Sequence, residues 1–182
     1  MVHFSVRSCL IFVSVLAYLL LVESSNRVVE VNVICNKSEN PSFCLSLLNS
    51  KPGGAVGEDL VNLTRYTIDV VRANVTNTIK YINRLIKNST SDPKAREHYQ
   101  VCLSQFNYAL DAAEYTQQML NSRNYLNVHV AASDVMTNAD LCALGLSSSN
   151  PPFHDASLLS KYVSIVDQIV QIILIMTNYL IR

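Results

Sequence analysis

Four cysteines constrain this 182-residue chain more than any other feature: a C-x8-C pair, Cys35 and Cys44, and two later ones, Cys102 and Cys142. Their chemistry depends on the compartment, and the first residues set the compartment. Arg7 precedes an apolar run from Cys9 to Val22, "CLIFVSVLAYLLLV", which is the pattern of a secretory signal peptide. Cleavage is expected near Ser25, removing residues 1–24 and with them Cys9. A membrane anchor would need about 20 apolar residues, more than this run supplies. Secretion puts the four remaining thiols in an oxidising environment, where they form two disulfides. Of the three possible connectivities, the short loop favours Cys35 with Cys44 and leaves Cys102 with Cys142. The paired CxxC spacings of a zinc site are absent.

What lies between the cysteines is helical. Glycine occurs four times, three of them in "KPGGAVG" from Lys51 to Gly57, and no stretch sustains the period-two alternation of a strand. Two short elements, Val28 to Cys35 and Ser42 to Asn49, flank "NKSENP" and form a helical hairpin, with Pro41 near a helix start. After the glycine-rich hinge, Glu58 to Asn88 carries Ile68, Val71, Val75, Thr78, Ile82 and Leu85 at alternating steps of three and four, one buried helical face. "SDPKAREHYQ" starts the next helix, with Asp92 as cap and Pro93 in the first turn, where its missing N–H costs nothing. Its stripe is Ala95, Tyr99, Cys102, Phe106, Ala109, Ala113, Thr116 and Leu120, and it runs to about Asn121. A third long helix, from about Tyr125 to Leu144, points Val128, Ala131, Val135, Asn138 and Cys142 inward. A short turn near Asn124 makes these two helices antiparallel, which places Cys142 opposite Cys102. After the loop "GLSSSNPPFHDA", a last helix from Ser157 to Ile181 turns Leu159, Tyr162, Val166, Ile169, Ile173, Met176 and Leu180 inward.

The expected fold is therefore all-α: an up-and-down four-helix bundle over 58–182, preceded by an N-terminal helical hairpin and hinge over 25–57, with two disulfides. The almost uniformly apolar end, "IVQIILIMTNYLI", raises the alternative of a lipid-anchor signal. Gln171 and Asn178 interrupt it and no polar spacer precedes it. Net charge is zero with acids and bases mixed along the chain, so the composition attracts neither nucleic acid nor an anionic membrane. Four Asn-x-Ser/Thr sequons, at Asn36, Asn62, Asn74 and Asn88, fit the secretory route, and those on the first long helix lie well away from its apolar face.

Residues suited to catalysis do not assemble in the sequence. The mature chain keeps His98, His129 and His154 without an H-x-x-x-H pair, the thiols are spent in disulfides, no G-x-S-x-G elbow exists, and the glycine cluster lacks the Lys-Ser/Thr of a phosphate loop. Asp111, Glu114, Asp134 and Asp140 fall at helix-surface positions. No catalytic residue, metal or cofactor is expected.

The hairpin closed by "CNKSENPSFCLSLL", the segment "YQVCLSQFNYALDAAEYTQQML" and the stretch "NYLNVHVAAS" leading to Cys142 together resemble the plant invertase and pectin methylesterase inhibitor family over essentially the whole mature chain. The resemblance implies a protein secreted to the apoplast and cell wall. It also implies inhibition of a carbohydrate-active enzyme by a complex that blocks the substrate cleft. Three departures stand out. Ser133 is followed by Asp134 and Val135 where the family usually has Ser-Ala-Ala, and Leu141 stands just before Cys142 where a threonine is usual. The Pro-Lys-Phe triplet of many acid invertase inhibitors is replaced by Tyr125, Leu126 and Asn127. The missing triplet puts pectin methylesterase ahead of acid invertase as the partner. A storage or defence protein, or a small-ligand carrier using the bundle interior, is the alternative outside inhibition. The expected contact is the turn "NSRNYLN", where Asn121, Arg123, Asn124, Tyr125 and Asn127 offer an exposed aromatic, a cation and amides to a sugar-binding cleft.

Overall fold

The computed structural model describes residues 27–144 and 153–182. The expected leader and most of the loop ahead of the last helix lie outside them. Six helices follow one another: α1 Val31–Cys35, α2 Pro41–Asn49, α3 Leu60–Asn88, α4 Pro93–Asn121, α5 Tyr125–Ala143 and α6 Leu159–Leu180. The long helices α3 to α6 form the bundle, each packing on two neighbours, with α3 diagonal to α5 and α4 diagonal to α6.

Side-chain caps start α2, α3, α4 and α5, whereas α1 and α6 have none. The Asn40 side chain accepts from Phe43 N–H, with Pro41 at the first position of α2. Asp59 accepts from the N–H groups of Val61 and Asn62 at the head of α3, and Asp92 accepts from Ala95 N–H at the head of α4, again followed by proline. Each such cap satisfies N–H groups that the helix itself leaves open, and losing one costs about 1 kcal/mol. Between α2 and α3, Gly53, Gly54 and Gly57 have φ of 87°, 83° and 72°, the left-handed region that a side chain strains.

The four apolar stripes meet in one core. All eight stripe residues of α4 are buried, as are Ile68, Val71, Val75 and Ile82 of α3 and six of the seven expected in α6. Fully burying a side chain the size of Phe106 or Ile169 stabilises by roughly 1.5–3 kcal/mol. Three stripe positions differ from expectation. Leu85 is half-buried near the end of α3, Tyr162 is half-buried and stacks on Tyr81 with ring centroids 4.8 Å apart, and Val163 takes the inner seat beside it. On α5 Asn138 turns aside and donates to the Asp134 carbonyl, while Ala139 is buried in its stead.

The first element is also shorter than its pattern suggests. Val28 forms an isolated antiparallel bridge with Asp59, Leu60 N–H donates to Arg27 O, and Arg27 N–H donates to the Asp59 carboxylate. These bonds hold the backbone extended up to the start of α1. The hairpin then docks on α6: Glu39 N–H donates to Gln171 Oε1 at 2.9 Å, Asn40 Nδ2 donates to Gln168 Oε1 at 2.8 Å, and the Lys37 ammonium lies 4.5 Å above the Tyr179 ring. By length and composition α6 is able to cross a membrane, and half of that stretch is buried within the protein.

Both disulfides form as expected, Cys35–Cys44 with Cα atoms 5.4 Å apart and Cys102–Cys142 with Cα atoms 4.5 Å apart. In the chain-entropy picture each restricts the unfolded chain by roughly 2–4 kcal/mol, the longer loop more. Replacing Cys102 and Cys142 together by Ala is expected to lower the melting temperature further than replacing Cys35 and Cys44 together. An equal or smaller loss, measured calorimetrically, would mean that the bundle holds its register without the staple.

Candidate functional site

The expected contact turn is built from the end of α4 and the start of α5. Arg123 has φ of 58°, a left-handed conformation that reverses the chain in one residue, and its side chain is exposed. Asn124 N–H donates to Met119 O, and the Asn124 side chain caps α5 by accepting from Asn127 N–H. Asn121 accepts from the Arg65 guanidinium of α3 and from Gln117 Nε2. The amides of Asn121 and Asn124 are thus committed to holding the turn. Tyr125 differs from the exposed aromatic expected: it is half-buried against the core, and its neighbour Leu126 projects into solvent at 62 % exposure. The phase of α5 decides this, because Val128 and Ala131 must face inward.

Leu126 belongs to a larger feature that sequence reasoning missed. Val130, one turn on, is 52 % exposed, and on α4 Tyr108 and Tyr115, two turns apart, are 57 % and 47 % exposed. These four side chains lie on the solvent side of the α4–α5 hairpin, Tyr108 and Tyr115 along one line and Leu126 and Val130 along another. Asp111 and Asp134 are exposed among them, and Glu114, also exposed, faces Arg72 of α3. No lysine or arginine occurs between Glu97 and Ser122 or anywhere in α5, so the face is acidic as well as apolar.

The densest cluster of polar groups lies at the other end. Asp155 accepts from Tyr99 Oη at 2.8 Å and from Ser157 N–H at 2.8 Å, and its second oxygen is 3.8 Å from His98 Nε2. A cavity of about 240 Å³ opens beside it, lined by His98, Phe153, His154, Asp155 and Ser160 among others. Burial pushes the His98 imidazole below its ordinary range, opposed by the nearby Asp155, and burial pushes the Tyr99 phenol up to about 12. The Asp155 oxygens are spent on tying the entry of α6 to α4, and the nearest sulfur, Cys102 Sγ at 3.9 Å from His98, is in a disulfide. His129 bonds Thr177 between α5 and α6. Among the described residues no group of three or more His, Cys, Asp or Glu gathers to hold a metal ion.

The sequons are placed unequally. Asn36, Asn62 and Asn88 are exposed, whereas Asn74 is half-buried on the flank of α3, with Nδ2 donating to Val70 O at 2.8 Å.

What the described residues define is a rigid, doubly stapled bundle with a broad, unpartnered helical face, the build of a binding protein. Its fold is similar to the crystal structure of a mutant form of a pectin methylesterase inhibitor from Arabidopsis, with a TM-score of 0.70 at 26 % identity over 83 % of this chain and 97 % of that one. In sequence it is 30 % identical, over 94 % of this chain and 89 % of the relative, to a pectinesterase inhibitor of Actinidia deliciosa. It is 32 % identical to pectinesterase inhibitor 1 of Arabidopsis thaliana, over 72 % of this chain and 73 % of the relative. The profile of the plant invertase/pectin methylesterase inhibitor family matches residues 30–176, and the chain belongs to that family.

One acidic pair gives the bundle a pH dependence. Asp167 of α6 is half-buried with Oδ1 out of contact with solvent, and burial, reinforced by Asp140 of α5, pushes its carboxyl up from 3.8 to about 7. The folded state therefore holds this proton more tightly than the unfolded chain does. Its contribution is fully present below the ordinary Asp range and is lost as pH rises through about 7. His98 acts in the opposite sense, losing stability as pH falls below 6.5, and is common to any pair of variants compared. The melting temperature of the native protein is expected to fall more between pH 5 and pH 8 than that of Asp167→Asn, and parallel curves would refute the assignment.

Proposed function

We propose that the protein is secreted to the plant cell wall, where it inhibits a pectin methylesterase by covering the substrate cleft, and that it catalyses nothing itself. The observation that carries this is the outer face of the α4–α5 hairpin, where Tyr108, Tyr115, Leu126 and Val130 are exposed together beside Asp111 and Asp134, on stretches of α4 and α5 that hold no lysine or arginine. Pectin becomes a polyanion as its methyl esters are removed, so a cleft that accommodates it suits a partner with sugar-sized apolar side chains between carboxylates. Electrostatic complementarity of this kind steers encounter, while buried aromatic anchors supply the affinity.

Acid invertase is the less favoured target, because Tyr125, Leu126 and Asn127 stand where inhibitors of that enzyme often carry Pro-Lys-Phe. A carrier function is disfavoured by the core, in which Phe106, Ile68, Ile82, Ile169 and Ile173 fill the interior; the cavity beside His98, about 240 Å³, is smaller than the usual 300–1,000 Å³ of ligand sites. In this reading residues 1–24 are removed, the hairpin and hinge of 25–57 and the bundle of 58–182 act as one inhibitor unit, and N-glycans are carried at the exposed Asn36, Asn62 and Asn88.

Titration of the mature protein against both enzymes tests the proposal. Stoichiometric loss of pectin methylesterase activity is expected, and inactivity toward it at micromolar concentration sinks the idea. Replacing Tyr115 by Ala and Leu126 by Ser together is expected to weaken inhibition tenfold or more, on the order of 1.4 kcal/mol, with the circular dichroism spectrum unchanged because both side chains are solvent-facing. The turn is tested separately by Arg123→Glu, since Tyr125→Ala would also remove core packing. A loss confined to Arg123→Glu would move the contact from the helix face to the turn.

A further inference from the structure

The bundle also carries a concentrated positive patch, on a side away from the outer face of α5. Lys80, Arg84 and Lys87 are exposed on α3 at i, i+4 and i+7, one line about 10 Å long. Lys94 and Arg96, in the first turn of α4, are exposed just beyond the α3–α4 turn. The contact of Arg72 with Glu114 and that of Arg65 with Asn121 fix the antiparallel register of α3 and α4, and this register brings Arg96 to the end of α3. None of the five cations is in an ion pair with a described residue. Arg65 and Arg72, by contrast, are engaged with Asn121, Asp69 and Glu114. Of the acids close in sequence, Asp92 is occupied in capping α4 and Glu97 has an interaction of its own.

This arrangement is unfavourable for the fold taken alone. Lys80 and Arg84 repel as like charges one turn apart. Lys94 and Arg96 place positive charge at a helix N-terminus, where the helix dipole disfavours it. An anion laid along α3 and across the turn relieves both. Exposed Thr90 and Ser91 lie between the two cation groups and offer hydroxyls beside the charges.

We propose that this patch binds de-esterified pectin, a linear polyuronate with one carboxylate per sugar. The assignment of ligand rests on the reading of the protein as a wall-located inhibitor; the patch itself rests on the structure. The carboxylates that α3 would bind are those that pectin methylesterase releases, so the inhibitor would be held where its target has already acted. The acidic α4–α5 face would be repelled by the same polymer and would stay turned toward the enzyme. Asn88 is one turn from Arg84, so a glycan at that sequon would lie beside the patch.

The test is co-sedimentation of the secreted protein, and of its Asn88→Gln variant, with immobilised polygalacturonate, highly methyl-esterified pectin and dextran sulfate. Both proteins are expected to be retained on polygalacturonate at low salt and released as salt screens the charges, with retention on esterified pectin at least tenfold weaker. Lys80→Glu, Arg84→Glu and Lys87→Glu combined are expected to abolish retention while inhibition of soluble pectin methylesterase stays within twofold of the native protein. Undiminished retention of the triple variant overturns the site. Equal retention on esterified pectin, or stronger retention on dextran sulfate than on polygalacturonate, overturns the ligand. Retention on polygalacturonate by a protein that fails to inhibit would refute the inhibitor reading and leave the patch standing.

Discussion

Cys102, a third of the way along α4, is joined to Cys142 at the end of α5 opposite their connecting turn, so the stretch over which the two helices pair is closed at both ends. With the chain reversal at Arg123 and the Asn124 cap at one end and the disulfide at the other, neither helix can slide by a turn without breaking one of them. The staple needs cysteines on the inner face of both helices, which fixes the phase of each. Once the phases are fixed, Phe106 and Ala109 point into the core while Tyr108 and Tyr115 point out, and on α5 Val128 and Ala131 point in while Leu126 and Val130 point out. One covalent bond thus determines both the packing that α3 and α6 complete and the side chains that the hairpin presents to a partner.

The second consequence of fixed register is electrical. The chain is neutral as a whole, but α3 holds Arg65, Arg72, Lys80, Arg84 and Lys87 against the single acid Asp69, while α5 holds Asp134 and Asp140 and no base. Because α3 and α5 are diagonal, these opposite charges face opposite sides of the bundle. A neutral composition excludes a uniformly charged surface; it does not exclude two surfaces of opposite sign, each with its own preferred partner.

The fold was legible in the sequence because its information is periodic. The stripes, the Asp92 and Pro93 start, and the cysteine spacings each specify an inner side, and tertiary packing follows from matching inner sides. The misses have local causes. Arg27 and Val28 are held extended by Asp59 and Leu60, contacts far along the chain, and Asn138 yielded its inner place to Ala139, which is smaller and carries no amide to satisfy. The candidate site was less legible because outer positions obey no period. Tyr125 and Leu126 are adjacent in sequence, and only the exact phase of α5 says which is half-buried and which is exposed. Likewise Lys87 and Arg96 become neighbours only through the α3–α4 turn.

The apolar last helix shows how the small elements complete the large ones. In sequence α6 is apolar enough to suggest a lipid environment, with Gln171 and Asn178 interrupting the run and Gln168 just ahead of it. In the fold α6 is covered on three sides, by α3, by α5 and by the α1–α2 hairpin. Gln168 and Gln171 are the acceptors that seat the hairpin, through Asn40 and the backbone of Glu39. The Cys35–Cys44 disulfide closes the loop from which those two donors project, so it restricts the backbone that carries them. Without the hairpin a third flank of an almost wholly apolar helix would face water, a patch of the kind that soluble monomers rarely leave open. The N-terminal hairpin is therefore the cover that keeps α6 in a bundle, while the α4–α5 face keeps Tyr108, Tyr115, Leu126 and Val130 exposed.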